Sequence, residues 1–291
     1  MSLTLRKFSE DFDALITPHI IRNTLPNKGL VVISGKEKSG KTFLALSLSL
    51  AISSGEKYWQ SMPERKISVP TPDGVVIYIS AEGHAGFRLR KMAYAIHLGW
   101  DAEKLASIRL LDIQAAPNIR NEKTLAELAA AIKKDGRSVV AIVIDTVART
   151  IHGNENDGEV MSQYIDACDF LISEFQTLVM LVHHIGKDTE KGMRGHSSLV
   201  GAVDAELRVE KNGEIRSVSI IRAKDIEECA GFFHFKLKPI VVGKDADGNE
   251  VSSCVVVPCS KPSKRVKEQQ QAVIATVGKV QNGEVSYEKD W

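Results

Sequence analysis

Residues 35–42 read GKEKSGKT, a loop that fits G-x-x-x-x-G-K-[ST] at every fixed position. The β-branched run LVVIS leads into it and the apolar stretch TFLALSLSLAIS leaves it. The chain must therefore turn from strand to helix through a few residues, and no other stretch restricts the fold as strongly. Gly35 and Gly40 let the backbone curl until successive amides face phosphate oxygens, and the helix N-terminus adds partial positive charge. Lys41 is placed to bridge β- and γ-phosphates, and the Thr42 hydroxyl to ligate magnesium. Lys38, Ser39 and Phe43 complete the segment expected to contact nucleotide. The motif implies ATP and Mg2+ as ligands.

The rest of the chain continues the alternation. Strands are expected at 30–34, 75–80, 107–112, 139–144 and 177–184, with helical patterns at about 41–54, 84–98, 121–134 and 158–175. Such a series predicts an α/β fold, a mostly parallel twisted sheet flanked by helices. After residue 204 the pattern changes: AELRVEKNGEIRSVSIIRAKD reads as an antiparallel hairpin, and FFHFKLKPIVV and VSSCVVVPC extend it. The division expected is an N-terminal segment (1–28), a core (29–259) with an antiparallel C-terminal extension, and a basic linker with a truncated C-terminal segment (260–291).

Charge bears on possible partners. The 38 basic and 37 acidic side chains leave a formal charge of +1, so any contact with nucleic acid has to be local. The N-terminus lacks a signal-peptide core and no apolar run reaches membrane-span length, so the expectation is a cytoplasmic protein with no membrane partner. Cys168, Cys229, Cys254 and Cys259 form no C-x-x-C pair, and no metal-binding role is expected of them.

Asp145 closes the apolar run VVAIVID about a hundred residues after the loop, where a second magnesium-anchoring carboxylate belongs. Position 146 is threonine, so no adjacent acid is available to activate water. Glu82, in VVIYISAEG, stands at the end of another expected strand, and neighbouring strand ends in an α/β sheet converge on the ligand crevice. Glu82 is therefore the expected general base. His183 and His184 end a further apolar strand at the same edge, where one imidazole can hydrogen-bond the γ-phosphate or its water.

GKEKSGKT, YISAEG, IVIDT and LVHH, in that order and over residues 25–225, resemble the RecA-like ATPases, most closely the hexameric plasmid replicative helicase RepA family. The resemblance implies that Glu82 is the catalytic glutamate, Asp145 the Walker B aspartate and His184 the γ-phosphate sensor. It also implies a homo-oligomer, a hexamer in the nearest relatives, whose loops line a channel for single-stranded DNA. The corresponding loops are RTIHGNENDGE and GKDTEKGMRGHSS, and Lys187, Lys191 and Arg194 in the second are the expected phosphate contacts. Relatives complete each site with an arginine from the neighbouring subunit. At that position this chain reads GAVDAELRVE, with Asp204 near the expected place and Arg208 slightly beyond. Arg208 and the strand pair Arg222 and Lys224 are the trans-acting candidates. The expected function is Mg-dependent ATP hydrolysis coupled to single-stranded DNA binding in a RepA-like helicase. The alternative is a nucleotide-switched regulatory or recombination ATPase that unwinds nothing. A nucleotide kinase is disfavoured, since no basic lid surrounds an acceptor pocket.

Overall fold

The computed structural model describes residues 19–71, 73–185, 197–224 and 228–260. Two short antiparallel strands, β1 (His19–Ile21) and β2 (Leu25–Pro26), precede β3 (Gly29–Gly35) and α1 (Lys41–Ser53). A hairpin of β4 (Tyr58–Trp59) and β5 (Met62–Lys66) leads to β6 (Val75–Ser80), α2 (His84–His97), α3 (Ala102–Ser107) and β7 (Leu110–Ile113). Next come α4 (Glu122–Lys133), β8 (Val139–Asp145), α5 (Val147–Thr150), α6 (Gly158–Phe175), β9 (Leu178–His184) and α7 (Ser197–Ala202). The last strands are β10 (Ala205–Asn212), β11 (Ile215–Ala223), β12 (Cys229–Lys244) and β13 (Glu250–Pro258).

One nine-stranded sheet has the order β13-β12-β11-β10-β3-β9-β8-β6-β7. From β10 to β7 all neighbours are parallel, and from β10 to β13 all are antiparallel. This is the expected fold class. The central parallel strands β3, β6, β8 and β9 are mainly aliphatic because both faces are covered. On β3, Val31 and Ile33 enter one core with α1 and α2, while Leu30 and Val32 enter the other with α6 and α7. Each such fully buried side chain contributes about 1.5–3 kcal/mol.

The expected segment at 107–112 is only partly strand. Asp101 caps the short helix α3 by accepting from the Lys104 amide at 2.8 Å, and Ser107 is its last residue. The strand therefore starts at Leu110, and its four residues are all half-buried. The sequence does not predict the pairing of β1 with β2 or of β4 with β5, since strands of two to five residues are held by packing and not by pattern. Ile20, Ile21 and Leu25, in the stretch read as a separate N-terminal segment, share a core cluster with Trp59 and α1.

Two polar locks fix β10 beside β3. Asp204 accepts from the Leu30 amide at 2.8 Å and from Lys224 Nζ at 2.8 Å. Gly29 lies at φ +121°, and a Cβ there would fall 2.3 Å from Asp204 Oδ2, so glycine is required. Buried Glu206 accepts from Ser34 Oγ at 2.5 Å and from Arg208 Nη2 at 2.9 Å.

Candidate functional site

The C-terminal ends of β3, β9, β8 and β6 open onto a cleft of about 890 Å³. Its walls carry Lys41, Thr42, Glu82, Asp145 and His184, so the structure brings together the five residues expected to do the chemistry.

The loop between β3 and α1 takes its shape from glycine. Gly35 has φ +155° and Gly40 φ +103°, and a Cβ at Gly35 would sit 2.4 Å from the Val209 carbonyl oxygen. Helix α1 starts without a side-chain cap, whereas Asp101, Asn121 and Asp157 cap α3, α4 and α6. Lys41 is buried, and its Nζ donates to the carbonyls of Gly35 at 3.0 Å and Lys36 at 2.8 Å. Burial pulls its pKa down to about 8, against the opposing pull of Asp145, Glu37 and Glu82. Ser39 is buried as well, and its Oγ has no hydrogen-bond partner among the described residues. Lys38 and Phe43 line the cleft, Phe43 beneath the Arg90 guanidinium at 5.2 Å from its ring centroid.

Asp145 is 4% exposed at the end of β8. Its Oδ1 accepts from Thr42 Oγ1 at 3.2 Å and its Oδ2 from the Tyr78 hydroxyl at 2.7 Å. Burial raises its pKa, and the bonds from Tyr78 and Thr42 partly oppose that rise. A hydroxyl and a carboxylate side by side at the head of α1 are hard oxygen donors suited to magnesium. Together with the buried lysine and the uncapped helix, they fit a magnesium-bound nucleotide. Thr42 and Asp145 would hold the metal.

Glu82 follows β6, where the Ala81 amide donates to the Asp145 carbonyl at 2.7 Å and so ties the two strand ends together. Gly83, at φ +66°, then turns the chain into α2. The Glu82 carboxylate accepts from Thr146 Oγ1 at 2.7 Å, with Arg149 Nε 3.7 Å away. Both ion-pair partners are largely exposed, so the hydroxyl is the better anchor. Thr146, the residue that denied the chain an acid after Asp145, is thus the one that orients the acid supplied by β6. His184 Nδ1 lies 3.4 Å from Lys41 Nζ. Burial, followed by the Lys41 charge, holds its pKa below the usual histidine value, so the ring is neutral at pH 7 and can accept.

Other expected site residues lie elsewhere. Arg208 donates to Glu206 from Nε and Nη2, and Lys224 pairs with Asp204 at the far end of β3, away from the cleft. Arg222 is exposed on β11 opposite Glu206. Lys187, Lys191 and Arg194 lie outside the described residues. The sequence reading missed Tyr78 and Arg90. Tyr78 had left a signal: a phenol within an aliphatic strand must find a partner when buried.

A family description, "AAA domain", matches residues 9–190. Comparison with curated proteins gave no match. No helix among the described residues is long and apolar enough to cross a membrane. The matched span covers more than half of the chain and carries the phosphate loop, Glu82, Asp145 and His184, and the chain belongs to the AAA domain family of P-loop ATPases.

Proposed function

We propose that the protein is a Mg-dependent ATPase coupled to single-stranded DNA, acting as a RepA-like helicase in a homo-oligomeric ring. The observation that carries the ATPase reading is the convergence of Lys41, Thr42, Asp145, Glu82 and His184 on one cleft. Lys41 exchanges its two carbonyl partners for phosphate oxygens. Glu82 takes a proton from the attacking water as the γ-phosphoryl group passes to that water's oxygen and ADP leaves. Magnesium held by Thr42 and Asp145 would offset charge on the phosphates. Neutral His184, touching Lys41, senses whether the γ-phosphate is present, and Lys187, Lys191 and Arg194 follow it closely in sequence.

The DNA reading rests on the resemblance to ring helicases and on the three basic residues in the sequence that follows His184. One observation favours the alternative, a nucleotide-switched ATPase without unwinding. Arg208 and Lys224, both candidates for acting on a neighbour, are engaged within their own chain by Glu206 and Asp204. The deciding measurement is ATP turnover with and without single-stranded DNA, at concentrations that permit assembly. Strong stimulation supports the helicase. Slow turnover indifferent to DNA supports the switch, and no turnover under either condition removes the ATPase reading.

A further inference from the structure

The residues named so far account for the phosphate and metal end of the cleft. Phe43, Arg90 and Leu237 line it too, and they come from α1, α2 and β12. Phe43 directly follows Thr42, so it stands just beyond the residues that hold phosphate and metal. The Arg90 guanidinium lies over its ring, which gives the cleft a flat, polarisable wall.

Leu237 reaches the same cleft from β12, and its place follows from strand alternation. Phe233, Phe235 and Leu237 project from one face of β12. The first two are buried and stacked, with centroids 5.6 Å apart, and Trp59 packs on Phe233 at 4.7 Å. Phe235 also sits against the phosphate loop, 3.4 Å from where a Cβ of Gly40 would be. Leu237, next in this row, is half-buried and reaches the cleft.

A single side chain ties α1 to the C-terminal strands here. The Tyr94 hydroxyl accepts from the Val256 amide at 3.0 Å and donates to the Phe43 carbonyl at 3.4 Å. Val256 is the cross-strand partner of Leu237. One buried phenol therefore links the backbone of Phe43 to the strand residue paired with Leu237, and burial pushes its pKa up to about 12, so it stays protonated at any working pH.

We propose that Phe43, Arg90 and Leu237 form the slot for the nucleotide's base, with its outer wall supplied in cis by the antiparallel extension. The base stacks on the Arg90 and Phe43 wall and makes apolar contact with Leu237, while Tyr94 acts as a positioning residue. The proposal rests on the nucleotide reading above. It assigns a ligand-binding task to β12, which lies beyond the family-matched residues 9–190.

The test is calorimetric binding of Mg-ADP and of Mg-pyrophosphate, which lacks the base, to the full chain and to Leu237→Ser and Phe43→Ala. The full chain should bind ADP roughly tenfold or more tightly than pyrophosphate, the scale of one base stacked on an aromatic platform. Each variant should lose most of that difference and keep its pyrophosphate affinity, which also reports an intact phosphate loop. Variants that weaken both ligands in parallel, or neither, overturn the slot. A full chain that binds pyrophosphate and ADP equally overturns the slot and leaves the phosphate site standing, while one that binds neither overturns both.

Discussion

Replacing Tyr78 with phenylalanine removes one hydroxyl and leaves the ring, which packs on Phe87 with centroids 4.5 Å apart. The change therefore isolates the 2.7 Å bond to Asp145, in which both partners are buried. A hydrogen bond to a buried charged group contributes about 1.5–3 kcal/mol. That corresponds to roughly 10- to 150-fold in an equilibrium constant. Burial holds the Asp145 pKa above its unfolded value near 3.8, so its charge costs stability once pH rises past that value. Tyr78 offsets this cost only while Asp145 is ionised. The destabilisation of Tyr78→Phe in urea should thus be largest at neutral pH and shrink as pH falls through the raised pKa. The same tyrosine orients a metal-anchoring carboxylate, so the magnesium concentration for half-maximal turnover should rise about 10- to 100-fold. A stability loss equal at both ends of the pH range, or an unchanged magnesium requirement, would refute the reasoning.

Three further outcomes follow from the site. Glu82→Gln should bind ATP with near-normal affinity and hydrolyse it about 10²- to 10⁴-fold more slowly, as measured by single turnover. Thr146→Val removes the 2.7 Å bond that orients Glu82 and should lower kcat about tenfold without changing ADP affinity. Unchanged or faster turnover would mean that this bond holds the base away from its water. Because Lys41 titrates near 8 and phosphates favour its charged form, ADP affinity should be flat below that pH and fall above it. Binding that stays level to pH 9.5 would show that the Lys41 charge contributes little.

The parts of the protein written in local pattern were legible in advance. Helix α6 falls where its pattern predicts it, at about 158–175, and Gly40, Lys41 and Thr42 stand at the turn where their motif requires them. Glu82 was legible for a topological reason, since the ends of neighbouring parallel strands face one crevice. Contacts spanning long separations were not readable. Tyr78 and Asp145 are 67 positions apart, and the bond from Val256 to Tyr94 closes 162. Only strand order and register bring such residues together. In the sequence Arg208 and Lys224 are trans-acting candidates, because nothing local pairs them with Glu206 and Asp204 before β10 is placed against β3.

The position of β3 also governs when the protein becomes competent during synthesis. Both of its neighbours, β9 and β10, come from the later part of the chain, and the Leu30 amide waits 174 residues for the Asp204 carboxylate. At about 5–20 residues per second, that wait lasts on the order of 10–30 seconds. For most of it, until β9 is made, the aliphatic strand bearing the phosphate loop has neither of its sheet partners. Nascent chains should therefore acquire nucleotide binding late and abruptly, as β10 emerges, and be most prone to aggregation just before.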